Sequence, residues 1–258
     1  MLVLLYVSLL FFPSYQIDQS KAIIIFFSRA GENYKVGTVD KGNTEMIVDY
    51  LKKVTNITTF KINPETEYPT NYQEMVNLAQ NEKSSKARPA IKDPLTDISN
   101  YDTILLGYPI WHGDLPNIVM TQLEMLDFEG KTIYPFNTHE GSGKGNSISD
   151  IRNLAPKADV KDGFALRGTE ARKDDSHESI RNWLSDELDI TVNQNTKGDQ
   201  TGESTESKKT DENIESKETD ESTKSKETDK STENIQNFQN NNFIKISSVL
   251  ILSALYFL

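Results

Sequence analysis

The sequence predicts a three-layer α/β domain in which a doubly wound parallel sheet of five strands carries helices on both faces. Three observations lead there. Short apolar runs rich in β-branched and aromatic residues recur, notably AIIIFF at Ala22–Phe27 and TILLGY at Thr103–Tyr108, and such runs read as strands buried on both faces. Segments with apolar residues at three-four spacing lie between them, as amphipathic helices require. Strict alternation of the two forces parallel strands joined by right-handed crossovers.

The elements follow in order. Ala22–Phe27 is the first central strand. Asn43 to Lys53 places Met46, Ile47, Tyr50, Leu51 and the following Val54 on one helical face. Ile57 to Ile62 alternates as a half-buried second strand, and Tyr72 to Lys83 carries Met75, Val76 and Leu78 at helical spacing after a Pro-containing turn. Thr103–Tyr108 is the third strand. Leu115 to Leu126 follows as a helix with Pro116 in its first turn, where a missing N–H costs least. Lys131 to Asn137 reads as strand four, Ser147 to Leu154 as a short helix and Val160 to Leu166 as strand five. Asp175 to Leu188 closes the domain as an amphipathic helix with Ile180, Trp183, Leu184 and Leu188 inward. The domain therefore spans residues 21–190, with five strands and five helices.

Both ends of the chain differ from the domain. Residues 1–16 begin with the apolar run MLVLLYVSLLFF and then turn polar, which resembles a secretory signal peptide. Residues 243–258 end in an apolar tail shorter than the roughly 20 residues of a spanning helix. Preceded by Asn237, Asn240, Asn241 and Asn242, that tail reads as a GPI-attachment signal, with a short tail anchor as the alternative. Residues 191–242 hold almost nothing apolar and cannot bury a core. Repeats at Ser207 (SKKTDEN), Ser216 (SKETDES) and Ser225 (SKETDKS) mark a solvated Ser/Thr-rich acidic stalk. These features predict entry into the secretory pathway and attachment at the cell surface, or a tail-anchored protein of an intracellular membrane.

Composition excludes several classes of function. The formal net charge is −11, and residues 191–258 carry 12 acidic and 8 basic side chains, which leaves −7 for residues 1–190. An acidic domain argues against nucleic acid as partner and suits a basic protein partner. There are no cysteines, so disulfides, thiolate metal sites and cysteine nucleophiles are excluded; no metal site is expected.

A doubly wound sheet takes its ligand beyond the carboxyl ends of its strands, where strand order reverses. The loop after strand one has Ser28, Arg29, Ala30 and Gly31, an inserted stretch to Lys41, then Gly42, Asn43 and Thr44 at the start of a helix. Free N–H groups, a partial positive charge and hydroxyl donors there form a phosphate cradle, or simply a helix cap. After strand three come Tyr108, Pro109, Ile110, Trp111, His112 and Gly113, where Trp111 or Tyr108 offers a stacking face for a flat heterocycle. After strand four come Thr138, His139, Glu140, Gly141, Ser142 and Gly143, whose backbone groups can hydrogen-bond the edge of a planar ring.

Together, FFSRAGENY, GNTE, YPTNYQEM, ARPAI, YDTILLGYPIWHGDLP, DFEGKTIYPFNTHEGSGKG and FALRG resemble a branch of the flavodoxin family over nearly all of residues 21–188. The resemblance implies a flavodoxin-like sheet of order 2-1-3-4-5 and non-covalent FMN. Its phosphate would lie on Ser28, Gly42, Asn43 and Thr44. Its ring would lie between Pro109, Ile110, Trp111 and His112 on one side and Thr138, His139, Glu140, Gly141, Ser142 and Gly143 on the other. The stretch from Glu32 to Lys41 departs from the usually compact phosphate loop and leaves the roles of Arg29 and Tyr34 open. His112 and Gly113 are candidates for tuning the flavin, His112 as a donor and Gly113 by turning its carbonyl toward the flavin N5 proton. The implied function is electron transfer with a redox partner protein. The alternatives are an FMN-dependent NAD(P)H oxidoreductase of the quinone or nitro reductase type, and a membrane-displayed binding domain with a vestigial flavin site.

Overall fold

The computed structural model describes residues 17–190 and residue 192. The expected signal peptide, nearly all of the stalk and the anchor segment lie outside the described residues. Among the described residues no helix is long and apolar enough to cross a membrane.

The central sheet is built from β1 (Ala22–Phe26), β4 (Thr58–Lys61), β7 (Thr103–Pro109), β8 (Thr132–His139) and β10 (Phe164–Arg167). Their spatial order is β4-β1-β7-β8-β10, all pairs parallel. Numbered by appearance, that is the predicted 2-1-3-4-5. The expected strand five is split: β9 (Asp159–Val160) pairs with β8 before β10 resumes. On that edge the Ile133 carbonyl accepts the Lys161 N–H at 3.0 Å, whereas Pro135, two residues on, has no N–H to offer, so the ladder lapses. Gly163 crosses the gap at φ +72°.

Each strand residue of β1 is buried, and its side chains alternate between two cores. Ile23 and Ile25 join α2 (Tyr72–Ser85) and α3 (Asn117–Leu123) with residues of α4 (Ser147–Leu154) on one face. Ala22, Ile24 and Phe26 join α1 (Asn43–Val54) and α6 (Ser176–Leu188) on the other, next to the short α5 (Gly168–Ala171). Complete burial of side chains such as Ile24 and Ile25 contributes about 1.5–3 kcal/mol each, which makes the β1 end a stiff base for the loops that leave it.

Three differences from expectation bear on the site. Residues between Gly31 and Val39 form a hairpin, β2 (Gly31–Asn33) with β3 (Gly37–Val39), where the sequence suggested only an insertion. A second small ladder joins β5 (Asn63–Pro64) to β6 (Ile91–Lys92) beside α2. The third helix is also shorter than expected, because Pro116 occupies the position before its first turn and residues after Leu123 loosen into turns.

Candidate functional site

One cavity of about 240 Å³ lies at the carboxyl ends of β1, β7 and β8, where strand order reverses and the fold predicts a ligand. Its polar wall comes from the loops after β1 and β8, its apolar wall from α2 and the loop after β7.

Gly42 precedes the first turn of α1 and has no side chain with which to cap it. The Ser28 hydroxyl does so from the end of β1, accepting the Glu45 N–H at 3.0 Å. A Cβ on Gly42 would run into Ser28 Oγ and the Arg29 carbonyl. Only glycine lets the two halves of the loop meet. Thr44 Oγ1 lies 2.8 Å from Thr138 Oγ1, both buried, which ties α1 to β8. Arg172 holds the Asn43 side chain through Oδ1 at 3.2 Å and also donates to the Lys41 carbonyl at 2.9 Å.

At the end of β7, residues Trp111 to Asp114 close on themselves. Trp111 N–H donates to the Asp114 carbonyl at 3.2 Å and Asp114 N–H to the Trp111 carbonyl at 3.0 Å. His112 and Gly113 between them have φ of +49° and +82°, the two left-handed residues of a type I′ turn. The Trp111 ring rests edge-on against Phe27 (5.3 Å) and Tyr68 (5.2 Å). The ring nitrogen Nε2 of His112 donates to the Val76 carbonyl at 2.9 Å, and Lys83 donates to the His112 carbonyl while pairing with Asp114 at 2.7 Å.

After β8, His139 Nδ1 accepts the Gly141 N–H at 2.9 Å. In the neutral ring, Nε2–H is thus the free donor. Burial, reinforced by the nearby Arg167 charge, pulls the His139 pKa below the ordinary 6.5. Glu140 Oε1 accepts the Thr169 N–H of α5 at 2.8 Å.

Ser28, Asn43, Thr44, Pro109, Ile110, Trp111, His112, Thr138, His139 and Glu140 all line the cavity. Gly42 stands behind them as the hinge of the cap. Tyr108 is placed otherwise: strand alternation sends its ring into the core, where its hydroxyl donates to Ser147 Oγ at 3.0 Å, so it offers no face for stacking. Gly141, Ser142 and Gly143 are not among the lining residues; Gly143 accepts the Asn137 side-chain amide at 3.0 Å. The Gly113 carbonyl already accepts the Asn146 N–H at 2.8 Å, and turning it toward a ring would break that bond.

Arg29 and Tyr34 now have positions. The Arg29 guanidinium bonds the carbonyls of Pro69 (2.7 Å), Thr70 (3.4 Å) and Glu32. Tyr34 stacks on Tyr72 with centroids 5.8 Å apart and planes 22° apart. Both rings line the cavity with Met75, Val76 and Ala79 of α2. The spacing 72, 75, 76, 79 puts these residues on one helical face; in sequence that face was indistinguishable from a core stripe.

A ligand cavity at the switch point of a doubly wound parallel sheet is the class that this fold defines. Residues 36–187 match the family model described as Flavodoxin. The chain belongs to the flavodoxin family.

Among solved structures, a protein described as a flavoprotein from Bacteroides uniformis is 26% identical, with a TM-score of 0.52 over 64% of this chain and 98% of that one. Another from Bacteroides eggerthii is 28% identical, with a TM-score of 0.49 over 64% and 96%. A flavoprotein from Lactobacillus acidophilus, solved in complex with FMN, is 20% identical, with a TM-score of 0.44 over 58% and 95%. No curated protein matches.

Proposed function

We propose that this chain is an electron-transfer flavoprotein working through non-covalently bound FMN. FMN as the cofactor follows from membership of the flavodoxin family. The observation that carries the reading is the meeting, in one cavity, of the capped start of α1 and the Trp111 loop. A cradle that only a glycine can close, at Gly42, suits a phosphate; the helix start adds a partial positive charge. Ser28, Asn43 and Thr44 would hold the phosphate, and Trp111 and His112 would face the ring opposite His139. When bound, FMN supplies the one- and two-electron chemistry that no side chain here can. The chain's own residues bind and orient it, exclude water on the Trp111 side and present the His139 Nε2–H as a donor.

The test is titration of flavin-free protein with FMN, followed by absorbance and calorimetry. Stoichiometric binding that Gly42→Val abolishes is expected; a preparation that takes up no flavin would leave only the binding-domain alternative. Direct bleaching by NADPH without an added reductase would favour the oxidoreductase reading, which the apolar α2 wall supports by leaving a surface beyond the phosphate loops. A basic redox partner protein is the expected electron source otherwise.

The secretory and membrane-attached location belongs to the same proposal, resting on the composition of residues 1–16 and 191–258. Asn56, exposed and followed by Ile57 and Thr58, is the acceptor to examine. Glycan at Asn56 and release from cells by phospholipase would support it; a cytosolic, unmodified pool would revive the tail-anchor alternative.

A further inference from the structure

The hairpin inserted between β1 and α1 touches the cradle only through Asn33, whose side-chain amide donates to the Arg29 carbonyl at 3.5 Å, and it is fastened at several further points. Glu32 N–H donates to the Thr70 carbonyl at 2.7 Å. One Glu32 carboxylate oxygen accepts the Tyr72 N–H at 2.9 Å and the Asn71 side-chain amide at 3.3 Å. Arg29 clasps three carbonyls from beneath. Fixing a backbone costs about 1–2 kcal/mol per residue in conformational entropy, and what this hairpin presents is an aromatic ring at the cavity rim. Tyr34 is 53% exposed, one of two large apolar side chains so exposed among the described residues.

We propose that Tyr34, Tyr72 and the α2 face carrying Met75 and Val76 form a second subsite in the cavity, which takes a flat, uncharged aromatic ring of the quinone class. Stacked phenols are a surface that recognises a planar ring. Charge argues against a pyridine dinucleotide at this end. Arg29 is committed to carbonyls, Lys83 to Asp114 and the His112 carbonyl, and Lys35 lies over the Tyr34 ring, 5.5 Å from its centroid. Nothing in that set is arranged as the fork that a diphosphate needs. The choice of a redox-active ring rests on the FMN reading above; the subsite itself rests on the hairpin.

The probe is 1,4-naphthoquinone, titrated by calorimetry into the full chain with and without FMN. The chain has no cysteine, so addition of the quinone to thiols does not intervene. Tyr34→Ala, at an exposed hairpin tip away from the Arg29 and Glu32 bonds, should weaken naphthoquinone binding about fivefold. Tyr34→Phe should restore it. Equal naphthoquinone affinity in wild type and Tyr34→Ala would overturn the subsite, as would efficient displacement of the quinone by NADH. If wild type binds naphthoquinone in a Tyr34-dependent way but no FMN, the flavin reading fails and the subsite stands.

Discussion

The hydroxyls of Thr44 and Thr138 meet at 2.8 Å in a buried contact between residues 94 positions apart. They link the start of α1 to the end of β8, and hence the phosphate end of the cavity to the His139 loop. Replacing either by Val leaves its partner's hydroxyl buried and unpaired, at about 1–3 kcal/mol, whereas replacing both removes the unmet need. Urea denaturation of the two single variants and the double variant should therefore show strong non-additivity, with the double variant more stable than the sum of the singles implies. Additive losses would mean that the pair is only a proximity.

The Gly42 cradle makes a separate prediction. Gly42→Ala drives a Cβ into Ser28 Oγ and the Arg29 carbonyl. The loop must spread, the Ser28 cap on the Glu45 N–H must lengthen, and stability should fall by about 1–3 kcal/mol. FMN affinity should fall with it. Gly37→Ala, with open space around it but a φ of +86°, should lose about 1–2 kcal/mol of stability through backbone strain alone and keep its FMN affinity, so affinity is the readout that separates the cradle from the loss of a glycine.

Glu82 is buried beneath the Trp111 loop, where Tyr68 OH donates to Oε2 at 3.4 Å. Burial raises its pKa above the ordinary 4.5, against the lowering effect of the Tyr68 bond. An acid whose pKa is higher folded than unfolded contributes stability that is complete below the unfolded value and is lost as pH rises through the folded one. The stability difference between Glu82→Gln and wild type should thus shift in favour of the glutamine as pH climbs from 4 toward neutrality, measured by denaturation at each pH. A pH-independent difference would place the charge in solvent.

His139 carries the opposite sign. Its pKa is pulled down by burial and by Arg167, so the neutral ring is favoured in the fold. Stability from this group is present above the unfolded value and is lost as pH falls through the folded one. Protonation at Nδ1 also removes the acceptor of the Gly141 N–H. Proton NMR should find His139 titrating below the ordinary 6.5, with the Gly141 amide shifting in step.

Hydrogen exchange reads the hairpin clasp. Glu32→Ala deprives the Tyr72 N–H of its acceptor, and exchange at Tyr72 and along residues 31–39 should accelerate by roughly tenfold, equivalent to about 1.4 kcal/mol of local opening. Protection of β1 and β7 should be unchanged.

Much of this architecture is legible in the chain. Buried strands betray themselves as short β-branched runs, and the Gly42–Asn43–Thr44 start of α1 carries its own signal. What the sequence hides depends on partners far along it. Tyr108 and Trp111 sit three residues apart on the same aromatic stretch, yet one is core and one is cavity, because β7 ends between them and strand alternation stops there. The hairpin was invisible as a hairpin, since Gly31–Val39 lacks alternating apolar residues and is held mainly through Arg29 and Glu32 to residues 69–72. Likewise Tyr72, Met75, Val76 and Ala79 share the spacing of an ordinary core stripe. Met75 and Ala79 are core residues as well, buried where they border the cavity, and only the half-buried Tyr72 and Val76 depart from the stripe.

The place where Gly42 closes on Arg29 has a wider meaning. Because the chain leaves and re-enters the domain at touching points, the segment between is an interchangeable cassette: its length and tip can vary while the cap on α1 stays as it is. A lineage, or an engineer, could then alter what reaches the rim by swapping this one segment, leaving the parts that grip the cofactor under separate selection.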